Sequence, residues 1–335
     1  MDDRQRFRAV LRNGAVDRIP YLEEPLREEV LDAWHNQGLP PDLDPARMFH
    51  TDQHELIEPD LAPIPEPAVW PESAADLVRF RQHLKPDDGA RLPGNWKNHI
   101  RRLRSRDHAV MLRVHRGFFL TMGVHGWQRF EKAIHLIGDD PRAAHDMMNI
   151  QGEFAAAVAE RVLRDVEVDA AIFSEPISDT HGPLISPRMY EELVLSSYEP
   201  LLAVLRRYGV QTIIFMTYAN SRLLLPCVFK RRFNCLWAYE VNTEAMDYRS
   251  LRREFGRDLR LIGGIDLDAI RAGRDAIRRE ILEKVPPLLA EGGYLPGADG
   301  RIREDVPYEN YVYYRQLLEE VTGSSGTVWT GHRTI

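Results

Sequence analysis

Apolar runs that end on polar or charged residues recur along the chain from about residue 106 onward. The predicted strands cover residues 108–115, 169–176, 211–218, 234–240, 259–266 and 292–299. Amphipathic helical patterns separate them; in one, Ser186 can cap a helix, Pro187 occupies its first turn and Gly209 ends it. This alternation indicates βα units around a parallel sheet.

The N-terminal portion has a less regular pattern. We predict a further strand at residues 17–25, "DRIPYLEEP", after a short helix in "RQRFRAVLRNG". An eighth strand is expected around residues 46–61, beside a Pro-rich segment that obscures the pattern. Eight strands in chain order, each followed by a helix, predict a (β/α)8 TIM barrel of the α/β class, with its active site at the carboxyl ends of the strands. An open doubly wound sheet is the alternative, but no GxGxxG follows the first strand and no switch point is evident.

The chain is predicted to form one domain. It contains no internal repeat, low-complexity tract or interdomain linker, and 335 residues are an ordinary length for one barrel. We therefore expect a single barrel over residues 1–322 with an irregular N-terminal portion. Residues 323–335, "GSSGTVWTGHRTI", lack periodicity and are predicted to form a disordered tail.

Composition excludes several classes of protein. The formal net charge of −7 argues against a nucleic-acid partner. No apolar run reaches the roughly 18 residues that span a bilayer, and the charged N-terminus is unlike a signal peptide, so we expect a cytoplasmic protein without a membrane partner. Cys227 and Cys235 are the only cysteines and form no CxxC pair, so we expect both in the core and neither as a metal ligand.

Polar residues at the strand ends would face one pocket if the barrel prediction holds. This set is rich in carboxylates, with a few cations and hydrogen-bond donors, which suits acid–base chemistry and the binding of polar groups. It comprises Glu23, Glu24, His115, Arg116, Glu175, Asp179, His181, Tyr218, Asn220, Glu240, Asp266 and Asp299.

Several members of this set also have structural interpretations. Asp179, Asn220 and Asp266 precede predicted helices and could serve only as N-caps. Glu240 ends an apolar strand, so we expect it to be buried with a partner. Glu23 and Glu24 cannot both point inward from a regular strand, so one of them is expected to have no role.

Long segments of the chain resemble the uroporphyrinogen decarboxylase superfamily, which includes methyltransferases that work with corrinoid proteins and thiols such as coenzyme M. The segments are "RFRAVLRNGAVDRIPY", "SPRMYEELVLSSYEPLLAVLRRYGVQTIIFMTYANSRLLLP", "LRREFGRDLRLIGGIDLDAIRAG" and "EGGYLPGADGRIREDVPYENYVYYRQLLEE". The resemblance is strong over residues 106–320 and weak between about 60 and 100. It implies the same barrel that the alternation of strands and helices predicts.

The motifs of the two branches are absent here. In the methyltransferases, the strand matching "IIFMTYAN" ends in a His-x-Cys zinc motif and a further Cys comes late in the barrel. This chain has Met216-Thr217-Tyr218-Ala219 and Gly297-Ala298-Asp299-Gly300 at those places, so the resemblance does not carry a zinc site with it. The decarboxylases have an Arg-rich segment resembling "RQAGRY" that clamps the carboxylates of the tetrapyrrole, whereas "LEEPLREEV" follows "DRIPY" here and would repel them.

We therefore predict a uroporphyrinogen-decarboxylase-like enzyme that acts on a small polar or carboxylated substrate other than uroporphyrinogen. A decarboxylase-type lyase is the first interpretation, with no cofactor firmly implied. Its alternatives are a corrinoid- or thiol-linked methyltransferase, with a corrinoid protein or zinc at an altered site, and a small-molecule-binding barrel without activity.

The residues of this set receive predicted roles. The catalytic candidates are Glu240, Glu175, Asp299 and His115. The substrate-binding candidates are Arg116, Tyr218, Asn220, Asp266, His181 and Glu23. A buried carboxylic acid among them would have the raised pKa that proton donation near neutral pH requires.

Overall fold

The computed structural model describes residues 1–43, 48–241 and 244–323. The predicted tail, residues 323–335, lies outside the described residues except for Gly323. Two compact units are present: unit 1 comprises Met1–His54 and Trp237–Ile335, and unit 2 comprises Glu55–Leu236. A single domain over residues 1–322 stays a prediction.

Within the described residues, seven strands alternate with helices. The strands are β1 (His54–Ile57), β2 (Ala109–His115), β3 (Ala170–Glu175), β4 (Ile213–Tyr218), β5 (Cys235–Tyr239), β6 (Arg260–Ile265) and β7 (Tyr294–Ala298). Their order in the sheet is their order along the chain. The six strands predicted between residues 108 and 299 are thus confirmed, and β1 lies where the eighth strand was expected.

The described helices lie before β1, between the strands and after β7. They are α1 (Asp3–Val10), α2 (Glu28–His35), α3 (Ala74–Phe80), α4 (Trp96–Leu103), α5 (Phe118–Thr121), α6 (Trp127–Asp139), α7 (Pro141–Asp165), α8 (Pro187–Met189), α9 (Glu199–Arg207), α10 (Leu225–Phe229), α11 (Tyr248–Phe255), α12 (Leu267–Ala272), α13 (Arg274–Glu291) and α14 (Tyr308–Thr322). Together with the parallel strands they show an α/β fold consistent with a TIM-like barrel. Closure by eight strands stays a prediction.

The strand predicted at residues 17–25 was wrong, because the described structure has no strand there. Tyr21 donates its backbone N–H to the Asp52 carboxylate at 2.9 Å and accepts the Asp52 backbone N–H at 2.9 Å. Pro20 and Pro25 have no N–H to contribute to a ladder. A side chain therefore supplies part of the hydrogen bonding of this backbone, and the segment forms no regular strand.

Strand pairing within each unit places two carboxyl groups at strand ends. In unit 2, β3 is fully buried and pairs in parallel with β2 and β4, with Glu175 opposite Thr217. In unit 1, β6 and β7 pair in parallel, with Ile265 opposite Ala298. Asp299 follows directly after that pair and donates its backbone N–H to the Ile265 oxygen at 2.8 Å.

The helix predicted over residues 186–209 is irregular. Ser186 caps it and Pro187 begins it as predicted, but α8 gives way to a π-helix at Tyr190–Val194 and a 3-10 helix at Leu195–Tyr198 before α9. Pro200 in the first turn of α9 cannot donate to the preceding turn, which accounts for the break in the α-helical ladder.

Among the helices described in residues 1–43, 48–241 and 244–323, none combines the length and apolar character needed to cross a membrane.

Candidate functional site

Asp299, at the end of β7, is a buried carboxyl held by two backbone amides in unit 1. Its side chain is 1% exposed. Its oxygens accept the N–H of Leu267 at 3.0 Å and that of Val241 at 2.6 Å. Burial raises the pKa of Asp299 to about 7, although the two N–H donors oppose the change. The carboxyl is therefore fixed in position, and its pKa lies near neutral pH.

A pocket of about 200 Å³ in unit 1 opens beside this carboxyl, and we call it the Asp299 pocket. It is lined by Glu240, Asp266, Leu267, Asp268, Arg271, Asp299 and Arg303. Three of the predicted site residues, Glu240, Asp266 and Asp299, therefore lie together. The lining is strongly polar, with four carboxyl groups and two guanidinium groups.

Glu240 was expected to be buried, and this expectation was wrong. Its side chain is 50% exposed and pairs with Arg303 at 2.9 Å. The backbone at Glu240 has φ +56°, in the left-handed region, and its N–H donates to the backbone carbonyl oxygen of Asp299 at 2.8 Å. The chain thus turns sharply after Tyr239, and the carboxylate lies at the pocket surface and not in the core.

Asp266 has the N-cap role that the sequence offered as its alternative. Its carboxylate accepts the N–H of Asp268 at 2.8 Å and begins α12. Burial raises its pKa, and the charge of Glu280 acts in the same direction. A cap that also lines a pocket can still contact a ligand, so its substrate-binding role stays a prediction.

The sequence did not identify the two arginines of this pocket. Arg271 on α12 pairs with Asp268 at 2.7 Å and Asp305 at 3.0 Å, and Arg303 pairs with Glu240. Neither lies at a predicted strand end. Proximity along the chain could have predicted one of them, because Arg303 comes four residues after Asp299 in the same loop.

Glu23 and Glu24 lie in unit 1 and both make specific contacts. Glu23 accepts hydrogen bonds from Arg315 at 2.8 Å and Tyr311 at 2.9 Å, whereas Glu24 contacts the Tyr239 hydroxyl and Arg301. Both border a second cavity, of about 20 Å³. The expectation that one of them has no role assumed a regular strand, which is absent here, and substrate binding by Glu23 stays a prediction.

Glu175, at the end of β3 in unit 2, is also a buried carboxyl. It is 0% exposed. It accepts hydrogen bonds from the backbone N–H of Phe118 at 2.8 Å, the Tyr198 hydroxyl at 2.6 Å and the Tyr190 hydroxyl at 3.2 Å. Burial raises its pKa to about 7 against the effect of these donors. We call Glu175, Tyr190, Tyr198 and His115 the Glu175 cluster.

His115 joins this cluster as a neutral imidazole. Its Nδ1 accepts the N–H of Gly117 at 3.0 Å and lies 3.3 Å from the Tyr198 hydroxyl oxygen. Burial, with the charge of Arg116, lowers its pKa to about 3. His115 therefore holds no imidazolium proton to donate near neutral pH. Gly117 has φ +103°, and a side chain there would clash with Pro176, so the turn needs glycine.

Arg116, the next candidate in unit 2, is a half-buried cation. It donates to the Leu120 carbonyl oxygen at 2.6 Å, and its Nε is buried without a hydrogen-bond partner. Burial lowers its pKa, but a guanidinium group remains charged. Its predicted role in binding a substrate carboxylate stays open.

The remaining candidates of unit 2 lie after β3 and β4. Asp179 accepts the N–H of His181 at 2.7 Å and forms a turn instead of the predicted helix cap. Asn220 accepts the N–H of Arg222 at 3.3 Å, as a cap would. The side chain of His181 is exposed, and Tyr218, at the end of β4, is half-buried. Substrate binding by Tyr218, Asn220 and His181 stays a prediction.

The end of β4 does not fit the zinc of the methyltransferase branch. Thr217 and Tyr218 offer neither thiol nor imidazole, and the Thr217 hydroxyl donates to the Glu175 carbonyl oxygen at 3.2 Å. Cys227 lies buried in α10, and Cys235 lies buried at the start of β5. In the described residues, the group with metal-ligand geometry is Asp3, His50 and Asp52.

That group is better explained as a salt-bridge cluster than as a cation site. Arg18 pairs with Asp52 at 2.6 Å, and Arg6 lies 3.6 Å from the same carboxylate. Two guanidinium groups therefore already balance the buried Asp52 and would repel a metal ion.

The chain is similar to known proteins in sequence and in fold. The sequence model of the family described as uroporphyrinogen decarboxylase (URO-D) matches residues 119–310. No curated protein matches the chain. A solved structure, a methyltransferase from Methanosarcina mazei, is similar with a TM-score of 0.54 and 15% identity, over 96% of this chain and 99% of that one. At that identity the likeness shows the fold alone. Because the family match covers more than half of its length, the chain belongs to the uroporphyrinogen decarboxylase family.

Proposed function

We propose that the protein is an enzyme that acts by acid–base chemistry on a small carboxylated substrate in the Asp299 pocket, as a decarboxylase-type lyase. The observation that supports it is a buried carboxyl with a pKa raised to about 7, placed at the wall of an open pocket. Membership of a family that contains decarboxylases supports the same reaction class.

The proposed step needs one proton donor. The bond between carbon and the substrate carboxylate breaks, carbon dioxide leaves, and the electron pair that stays on carbon takes the proton of the Asp299 carboxyl. The Asp299 carboxylate then regains a proton from solvent. A pKa near the working pH allows both halves of this cycle, and the amides of Val241 and Leu267 keep the carboxyl in one orientation.

Substrate binding is assigned to Arg303. Its ion pair with Glu240 joins side chains that are 56% and 50% exposed, and exposed pairs contribute only about 0–1 kcal/mol. A substrate carboxylate can therefore replace Glu240 on the guanidinium group at little cost, with bidentate geometry. A pocket of about 200 Å³ suits a small acid and not a tetrapyrrole.

The test is release of carbon dioxide from a panel of small mono- and dicarboxylic acids. We expect at least one acid to be decarboxylated, and we expect Asp299→Asn to lower turnover by about 10²–10⁴-fold. Asp258→Asn, which changes an exposed aspartate before β6, is the matched control and should retain full turnover. Equal turnover by the Asp299→Asn protein would remove the assigned proton donor.

Methyl transfer is the second candidate, favoured by the fold shared with the Methanosarcina mazei methyltransferase. Its test supplies methylcobalamin or a methylated corrinoid protein together with a small thiol such as coenzyme M. Methylation of the thiol without carbon dioxide release would replace the lyase proposal. Ligand binding without turnover in either assay would favour a binding protein.

A further inference from the structure

Lys284 is a buried cation behind the Asp299 pocket. It lies on α13, its side chain is 11% exposed, and its Nζ forms an ion pair with Glu280 one turn earlier on the same helix. The Nζ also lies 3.5 Å from the carbonyl oxygen of Gly264 on β6. The ammonium group therefore reaches the carboxyl end of that strand.

Backbone hydrogen bonds connect this ion pair to the pocket. The Glu280 carboxylate accepts the N–H of Asp266 at 2.9 Å, and the Asp266 side chain lines the pocket. Asp299 is joined to the same strand end, because its N–H donates to the Ile265 oxygen at 2.8 Å. The ion pair and the proposed proton donor are thus attached to adjacent residues of one short segment, residues 264–266.

We propose that Lys284 is a positioning residue for this reaction: its ion pair with Glu280 and its contact with the Gly264 oxygen hold the end of β6, to which Asp299 is joined, and place a positive charge behind that carboxyl. The inference rests on the proposed role of Asp299 and adds a residue outside the pocket lining. Lys284 itself touches no substrate in this arrangement.

The other charges around Asp299 do not replace this one. The charged groups of the pocket lining are Glu240, Asp266, Asp268, Arg271 and Arg303, and those of the ion pair behind it are Glu280 and Lys284. Both pocket arginines are paired with carboxylates at the pocket surface. The charge of Lys284 lowers the pKa of Asp299, against burial and the charge of Asp266. This direction agrees with the position of the Lys284 ammonium group at the end of β6.

The test uses two variants that break the same ion pair but remove opposite charges. Protonation of Asp299 is followed in the full-length protein by infrared difference spectra between each protein and the same protein carrying Asp299→Asn. We expect Lys284→Met to raise the midpoint of this titration by about half a pH unit or more, and Glu280→Gln to lower it. Lys284→Arg should restore the wild-type midpoint, and Arg279→Met, an exposed change on α13, should leave it unaltered.

Shifts in the same direction, or no shift, would show that the pair has only a structural role. If Lys284→Met fails to fold, the downward shift in Glu280→Gln still decides the proposal. The titration requires no substrate, so it is independent of whether the protein releases carbon dioxide. Loss of turnover in Asp299→Asn with an unmoved midpoint in the Lys284 and Glu280 variants would overturn the positioning role alone.

Discussion

Asp299 in unit 1 and Glu175 in unit 2 are two buried carboxyls with raised pKa values and different surroundings. Burial raises both pKa values to about 7. Asp299 accepts from two backbone N–H groups and borders an open, charged pocket. Glu175 is enclosed and accepts from one backbone N–H and two tyrosine hydroxyls.

A raised pKa is evidence that a carboxyl is buried before it is evidence that the carboxyl has a catalytic function. A carboxyl must also meet solvent or substrate to exchange a proton, and the pocket supplies that contact at Asp299. The partners differ as well, because hydroxyl groups rotate whereas backbone N–H groups are fixed. The Glu175 cluster can reorganise its hydrogen bonds when Glu175 gains a proton, which suits a stabilising network.

The largest expected difference is in stability after truncation. We expect Glu175→Ala to lower the free energy of unfolding by roughly 3–5 kcal/mol, because it leaves an N–H and two hydroxyls without an acceptor in a closed space. Asp299→Ala should cost only about 1–3 kcal/mol, since pocket water can reach the freed N–H groups. Urea unfolding at neutral pH measures both. Equal losses would mean that the two regions are equally closed.

The second-largest expected effect is a change in the free energy of unfolding with pH. The unfolded pKa values are near 3.8 and 4.5, and the folded values near 7, so the folded state holds more protons between these limits. Each carboxyl thus contributes to the free energy of unfolding through its bound proton. This contribution is fully present below about pH 4 and is lost as the pH rises to about 7, by about 2–4 kcal/mol per group.

The neutral His115 changes the pH dependence of stability in the opposite direction, because burial lowers its pKa in the folded protein to about 3. The comparison is therefore made as a difference between the wild-type protein and Glu175→Gln, which has the same shape and no titrating group. We expect this variant to gain stability relative to wild type as the pH rises from 5 to 7. A constant difference across that range would contradict the raised pKa of Glu175.

The two tyrosines allow a finer test of the enclosed cluster. Tyr198→Phe removes a hydroxyl 2.6 Å from the Glu175 carboxylate, and Tyr190→Phe removes one at 3.2 Å. We expect costs of about 1–2 kcal/mol for the first and less for the second, because short bonds to a carboxyl are the stronger ones. Thermal and urea unfolding of both variants give the order, and the reverse order would show that bond length is not decisive here.

The sequence predicted the strands well, because each strand from β2 to β7 is a short, mostly apolar run that ends on a polar residue or directly before one. It also placed Glu175 and Asp299 at strand ends. Two predictions failed for different reasons. The strand predicted at residues 17–25 is absent because Tyr21 bonds to Asp52, which is distant in sequence. The burial predicted for Glu240 is absent because its left-handed backbone directs the side chain outward.

The tyrosines of the Glu175 cluster could not be predicted from periodicity. Tyr190 begins a π-helix and Tyr198 ends a 3-10 helix, so a regular helix would have placed them differently. Pro200 was the visible signal that the helix is broken nearby. The same segment packs closely on α7, where a side chain at Gly152 would clash with the Ser197 carbonyl oxygen.

The smallest effect should come from the ion pair at the pocket surface. Glu240→Gln removes the partner of Arg303, and because both side chains are half-exposed we expect a change in stability of about 0.2–1 kcal/mol. Glu192→Gln, in the exposed Arg188–Glu192 pair of unit 2, is the matched control and should behave alike. The two variants should differ in ligand binding, since only Glu240→Gln leaves a guanidinium group free beside the pocket. We expect KM for a carboxylate substrate to fall about two- to fivefold in Glu240→Gln alone. An unchanged KM would mean that Arg303 does not bind the substrate carboxylate, and the pocket would then need another residue for that role.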